Sequence, residues 1–421
     1  SSAAGLGARQ RDCAAMAGGS PGLQGLCSAA GVEELELRLL GGRALRGLRC
    51  GRAGGRPWLL LHGWLDNSAA FAPLLPLLLE DLGPDVDLVA LDMAGHGCSD
   101  HLHEGYLLVD YVADILLAAD SLGWETFSLL GHSLGGIVAG IAAGTQPERI
   151  SRLVLLDIIG TISRDAEEAP SVLSKSVAWL RERSTGAKAG GSRLKMFASV
   201  EEAAKQRADK NIGGPMSLAN ALLIASRGVV DAQAASPKSG CSPKSGGSPP
   251  PPGSPDAGGS PKPGFVWASD PRLLQPSLQE LTPEAGTAFL KRIRCPALVI
   301  TAYDGLYREL LKRGGRRRGS AGGRGLPLTH ALGRPFCLCL MLVWIALRLS
   351  SRFTSWLGLA KQQKLLESTA RNIREGWRLG SRLRALKHLT YEELPSGGHH
   401  FHMTVPQETS RVIANWLKSL G

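Results

Sequence analysis

The sequence predicts an α/β fold: a mostly parallel central sheet, helices on both faces, and a helical lid inserted after the sixth strand. Three observations predict it. From Pro57 to Leu156, short apolar runs of strand length alternate with longer amphipathic stretches, the pattern of a parallel sheet covered on both sides. Three of those runs end at His62-Gly63, Asp92 and Ser133, where sheets of this kind bind their ligands. The alternation stops after Asp157 and resumes at Cys295, so the intervening residues read as an insertion.

The elements follow in order. Val32 to Cys50 (EELELRLL, then RALRGLRC) alternates with period two and reads as two antiparallel strands joined at Gly41-Gly42. Pro57 to Leu61 is a buried strand running into His62-Gly63-Trp64. A helix from Ala69 to Leu82 follows, with Leu74, Leu75, Leu77, Leu78 and Leu79 as its apolar face. Next come the strand Val86 to Leu91, a helix from Leu107 to Leu122, the strand Thr126 to Leu130, a helix from Gly135 to Thr145 and the strand Leu153 to Leu156. Thr161 to Gly286 reads as helices without a strong strand. Cys295 to Ala302 is a strand ending at Asp304, a helix spans Leu365 to Leu386, and His388 to Glu393 is the last strand. Glu408 to Leu417 closes the chain as an amphipathic helix with Val412, Ile413 and Trp416 on one side.

Composition divides these 421 residues. The expected units are an N-terminal extension over 1–31, a first core part over 32–160, a helical lid over 161–290 and a second core part over 291–421. Within the lid, 235–263 is Pro/Ser-rich with Ser-Pro-Lys-Ser-Gly repeated, too poor in apolar surface to order itself. Within the second core part, about 313–358 is an atypical basic insert. Between Gly305 and Ala360 ten basic residues face one acid, Glu309, so this segment carries +9 of the net charge of +11. The rest of the chain is nearly neutral, which argues against a nucleic-acid-binding body; the Arg/Gly run Arg313 to Arg324 lacks the aromatic residues of a nucleic-acid platform and reads as a solvated stretch. The eight cysteines form no framework, and Cys337 and Cys339 lack a second ligand pair, so no metal site is expected. Ser1 to Cys13 has no signal-peptide core, Met16 reads as a natural start, and the apolar run Phe336 to Leu347 is too short to span a bilayer. Scattered thiols and no transmembrane segment lead to a cytoplasmic expectation.

Gly131-His132-Ser133-Leu134-Gly135 lies between an apolar strand and a small-residue helix. That placement marks Ser133 as a nucleophile on a tight turn, with the free N–H groups of the next helix aimed at developing negative charge. The backbone N–H groups of Leu134 and Trp64 are the expected oxyanion donors. His399, directly after Gly397-Gly398, is the expected base, with His400 and His402 as alternatives. Asp304 follows a strand and precedes a glycine, the setting expected of the acid; Asp157 is its alternative, otherwise a cap at the entry to the lid. His62 reads as a brace for its loop, Asp92 and His96 as structural, and Asp100 as a cap of the next helix. No carboxylate or cysteine adjoins the 399–402 histidines in sequence to make a metal site, and no cofactor is expected.

His62-Gly63-Trp64-Leu65-Asp66-Asn67, the Gly95-His96-Gly97 turn, Gly131 to Gly136 and His399-His400-Phe401-His402-Met403 together resemble the α/β-hydrolase superfamily. Within it they are most similar to the serine hydrolase-like proteins of animals. Arg227-Gly228, and Trp267 with Asp270-Pro271-Arg272-Leu273, resemble the lid of that family. The resemblance covers about Pro57 to Val230, Phe265 to Tyr307 and Lys361 to Leu417. It implies the α/β-hydrolase fold, Ser133 as nucleophile and His399 as base, and a peroxisomal or vesicle-associated location as the alternative to the cytoplasm. The Pro/Ser-rich stretch and Arg313 to Gly358 depart from the family, and the second reads as translated non-coding sequence.

The expected activity is cleavage of a small-molecule carboxylic ester or thioester through an acyl-serine. The competing expectation is a catalytically impaired relative that keeps the pocket for binding. A serine at 133 speaks against the sister chemistries that open epoxides or remove halides, because those need a carboxylate nucleophile.

Overall fold

Val32–Arg38 (β1) and Ala44–Gly51 (β2) pair antiparallel, with Arg38 opposite Ala44. The turn between them is the one that Gly41-Gly42 predicts: both glycines have positive φ, +96° and +89°, a conformation that a Cβ would strain. This hairpin edges an eight-stranded sheet in the order β1-β2-β4-β3-β5-β6-β9-β10. Its other members are Arg56–Leu61 (β3), Val86–Leu91 (β4), Phe127–His132 (β5), Ile150–Leu156 (β6), Ala297–Ala302 (β9) and Leu389–Leu394 (β10). From β4 to β10 all pairings are parallel; β2 alone runs against its neighbours.

The computed structural model describes residues 31–103, 105–161, 166–184, 195–211, 214, 216–232, 264–275, 281–306 and 378–421. The Pro/Ser-rich stretch 235–263, the basic insert 313–358 with Cys337 and Cys339, and nearly all of the N-terminal extension lie outside the described residues. Of the helix expected over Leu365 to Leu386, residues 378–385 are described and helical.

The continuous apolar runs of the sequence become strands buried on both faces. Leu59 and Leu61 of β3, Leu129 of β5 and Leu153 and Leu155 of β6 enter one core; Trp58, Leu60, Leu130, Val154 and Leu156 enter the other. Leu108–Ser121 (α2), Leu134–Thr145 (α3) and residues 378–385 cover the first face. Leu75–Leu82 (α1) and the closing helix Pro406–Ser419 (α8) cover the second, the latter through Ile413 and Trp416. The helix expected from Ala69 to Leu82 is two elements, a 3-10 turn at Ser68–Phe71 and α1. Pro73 and Pro76 account for the break, since neither ring nitrogen can donate within a helix.

Between β6 and β9 the chain leaves the sheet. It forms Ala169–Ser184 (α4), Val200–Asp209 (α5) and Leu218–Gly228 (α6), then an antiparallel pair of three-residue strands, Val229–Asp231 (β7) and Phe265–Trp267 (β8). The segment expected as helices without a strong strand thus carries one small ribbon of three-residue strands. Ala204, Met216, Ala221, Ile224 and Ala225 form a separate small core that also holds Ala70 and Met403, so α5 and α6 sit on the loops at the carboxyl end of the sheet. Pro283–Arg292 (α7) packs instead on α3, where the Phe289 carbonyl lies against Gly144, and the expected boundary at 290 falls inside it. Among the described residues no helix is long and apolar enough to cross a membrane.

Candidate active site

Ser133 follows β5 directly and opens α3. Its backbone is at φ 51°, ψ −115°, in the region L-residues rarely occupy. The Ser133 N–H donates to the Leu156 carbonyl at 3.1 Å and its carbonyl accepts from Ile137 at 3.0 Å, so the bend is held from β6 and from α3. The flanking glycines are steric requirements. A Cβ at 135 would lie 2.1 Å from the Leu61 carbonyl oxygen, and one at 131 would lie 2.4 Å from the Gly135 oxygen. Helix, β3 and β5 approach too closely for any side chain, which is what places the serine at the carboxyl end of the sheet. The Ser133 side chain makes no capping bond to its own helix.

The other two non-glycine residues with positive φ among the described ones are Leu65 and Asp157, after β3 and β6. Asp157 is wholly buried, and its Oδ2 accepts from His399 Nδ1 at 2.7 Å and from the Leu306 N–H at 2.6 Å. A carboxylate on Nδ1 fixes the proton there and leaves Nε2 as the basic nitrogen of His399.

Asp304, the expected partner, is not on the imidazole. It is exposed, beyond the end of β9, and its Oδ1 accepts the Gly398 N–H at 2.8 Å. The loop after β9 gives the site a backbone N–H, that of Leu306, and Gly305 lies close against the Asp157 carboxylate. The alternative acid is therefore the one in contact, and its reading as a cap at the lid entry is replaced.

His399 belongs to a group of four buried histidines. The His132 ring centroid lies 4.6 Å from His399, 4.8 Å from His400 and 4.3 Å from His402. His132 Nε2 donates to the His399 carbonyl at 2.8 Å, tying the neighbour of Ser133 to the backbone of the candidate base. His400 Nε2 donates to Asp66 Oδ2 at 3.1 Å, and Arg207 of α5 pairs with Asp66 Oδ1. Burial alone would raise the Asp66 carboxyl; Arg207 and His400 hold it well below the usual carboxylate range. Burial holds His132 and His402 well below the ordinary imidazole value, His132 with help from the other three rings.

Asp66, 334 positions before His400, is the carboxylate that sequence adjacency could not supply to the histidines. One ligand atom each of Asp66, His132 and His400 lies within 4.8 Å of the others, a geometry compatible with a metal ion. The hydrogen bonds argue for an internal network instead. Asn211 Nδ2 donates to His400 Nδ1 at 3.2 Å, which puts the His400 proton on Nε2, facing Asp66, and Asp66 already carries a guanidinium.

The remaining loop residues act as braces. His62 donates from Nδ1 to the Gly63 carbonyl at 2.7 Å and accepts the Met93 N–H on Nε2 at 3.0 Å, joining the loops after β3 and β4. Asp92 accepts from the N–H groups of Ser68 and Cys98 and pairs with buried Arg227 of α6, which also pairs with Glu34. Burial drives the His96 imidazole down to about 3. Among the described residues Asp100 caps no helix: it accepts the Ala44 N–H and pairs with Arg46, holding β2. The Trp64 indole donates to the Leu273 carbonyl at 3.1 Å, and the turn closed by the Asp66 N–H on the Gly63 carbonyl leaves the Trp64 N–H outside that bond.

A strained serine between β5 and a helix, a histidine after the last strand and an acid at a strand end invite comparison with known enzymes. The family model described as alpha/beta hydrolase fold matches residues 57–201, from β3 through the Ser133 turn into α5. The chain has the α/β-hydrolase fold. A serine hydrolase-like protein of Danio rerio is 41% identical over 135 residues, 32% of this chain and 40% of its own length. The serine hydrolase-like protein of Homo sapiens is 41% identical over 128 residues, 30% of this chain and 61% of its own. The aligned stretch thus spans about half the length of these relatives. A hypothetical protein from Pseudomonas aeruginosa PAO1 superposes with a TM-score of 0.58 at 28% identity, over 91% of this chain and 99% of its own. The loops gathered here lie at the carboxyl ends of the parallel strands, where sheets of this kind bind their ligands.

Proposed function

We propose that this α/β hydrolase is a serine hydrolase that cleaves a carboxylic ester or thioester of a small molecule through an acyl-serine. The observation that carries the reading is the buried 2.7 Å contact of His399 Nδ1 with Asp157, on a loop whose His399 carbonyl is bonded to His132, the residue before Ser133. The substrate carbonyl is attacked by Ser133 Oγ while His399 Nε2 takes the hydroxyl proton; Asp157 stays ionised and stabilises the imidazolium. The N–H of Leu134, first in α3 and so without a helical partner, and the N–H of Trp64 hold the oxyanion. His399 then returns its proton to the departing alcohol or thiol. Water, deprotonated by the same nitrogen, attacks the acyl carbon, and the carboxylic acid leaves with Ser133 restored. The segment over α5 and α6 serves as the lid and shapes the acyl pocket.

A fluorophosphonate probe tests the assignment, because it phosphonylates an activated serine whatever the natural substrate. The full chain is expected to label and Ser133→Ala is expected not to. Labelling that persists in Ser133→Ala places the nucleophile elsewhere. A folded wild type that does not label favours a binding protein on the same fold.

A further inference from the structure

Three consecutive residues of the loop after β10 are each held by a different strand end. Gly398 donates to Asp304 after β9, the His399 carbonyl accepts from His132 at the end of β5, and His400 donates to Asp66 after β3. The segment between β6 and β9 reaches the same contact: Arg207 of α5 pairs with Asp66 Oδ1, and Asn211, just past α5, donates to His400. Asp66 is 1% exposed and Arg207 is a part-buried partner.

We propose that Asp66 is a positioning residue that, paired with Arg207, transmits the placement of α5 to the loop carrying His399. The proposal rests on His399 being the base and adds what controls it. A carboxylate buried this deeply remains ionised only with a cation beside it. With Arg207 in place, His400 donates to a charged acceptor, a bond roughly twice as strong as its neutral counterpart. When α5 moves off, Arg207 and Asn211 leave together, and Asp66 takes up a proton. The grip on His400 weakens, and the loop carrying His399 loses one of its three bonds to the strand ends. Closure of the segment over the carboxyl end of the sheet thereby orders the base, and opening relaxes it.

The test uses the full chain with Arg207→Met, Arg207→Lys, Asp66→Asn and the Arg207→Met/Asp66→Asn double variant. Two readouts are followed: the fluorophosphonate labelling rate and the downfield NMR resonance of the proton between His399 and Asp157. Arg207→Met is expected to slow labelling by about tenfold or more and to shift the resonance. Arg207→Lys restores both, and the double variant is no slower than the slower single, as expected of residues acting as one unit. A folded Arg207→Met with wild-type rate and an unmoved resonance overturns the proposal, as do single losses that multiply in the double variant. If Arg207→Met does not fold, the isosteric Asp66→Asn takes its place under the same criteria. If the wild type never labels, the hydrolase reading fails and the resonance alone decides: a shift in Arg207→Met reversed in Arg207→Lys supports the positioning role, and no shift overturns it.

Discussion

Replacing Asp157 by asparagine separates the contribution of its charge from that of its shape. The residue sits at φ 52°, a conformation asparagine adopts readily, so the backbone has no reason to move. Both donors, His399 Nδ1–H and the Leu306 N–H, point at Oδ2, while Oδ1 has no partner among the described residues. In Asp157→Asn the amide oxygen would therefore take the Oδ2 position, because the reverse orientation sets an NH2 against the Leu306 N–H. The His399 tautomer is kept, and only the charge opposite the imidazolium is lost. Two unit charges about 4 Å apart attract by about 1–4 kcal/mol between the dielectric of water and an effective value of about 20, and each 1.4 kcal/mol is about tenfold in rate. The expected loss in fluorophosphonate labelling rate is thus about 5- to 1000-fold, short of the ~10⁴ seen when the same change flips a triad tautomer. Asp157→Ala, which removes the tautomer lock as well, should lose more. Asp304→Asn keeps an oxygen for the Gly398 N–H, an exposed bond worth about 1 kcal/mol or less, and should stay within about threefold of wild type. Labelling that falls further in Asp304→Asn than in Asp157→Asn would refute the reasoning.

Ser133→Gly should be more stable than wild type by about 1 kcal/mol in urea unfolding, since relief of a backbone strain of about 1–3 kcal/mol exceeds the entropy glycine adds to the unfolded chain; a less stable variant would show that the turn is unstrained. Arg227→Met leaves buried Asp92 without its cation and should cost about 3–5 kcal/mol, with part of the loss recovered in Arg227→Met/Asp92→Asn; equal stability of the single variant and wild type counts against the pair. His96 has its folded pKa lowered to about 3 from an ordinary 6.5, so below pH 6.5 the unfolded chain binds a proton that the folded chain does not. Stability should therefore fall as pH drops through that window, with His96 contributing up to about 1.4 kcal/mol per pH unit, and His96→Asn should flatten the slope by that amount; identical slopes in the two proteins would contradict the shift.

The strands and the serine turn were legible from the sequence because their causes are local. A strand buried on both faces is an uninterrupted apolar run, and β3, β4 and β9 begin and end within two residues of the runs that predict them. Gly131 and Gly135 flank Ser133 because backbone from β3 and α3 crowds that bend, and the spacing alone reports this. The break at Pro73 and Pro76 was also written in the chain, but the leucine periodicity across it gave the stronger pattern.

The carboxylate in contact with His399 was not legible in the same way. Asp157 and Asp304 both follow apolar runs, and one-dimensional spacing does not say which strand end lies beside the loop after β10. Packing decides it: the residue directly after β6 turns its buried side chain under His399, while the loop after β9 reaches outward with Asp304 and inward with a backbone N–H. The same holds for Asp66 and His400, which meet across 334 positions. Side chains this far apart in the chain share a site only because a parallel sheet brings the carboxyl ends of its strands to one edge, and the choice among their loops belongs to tertiary contact.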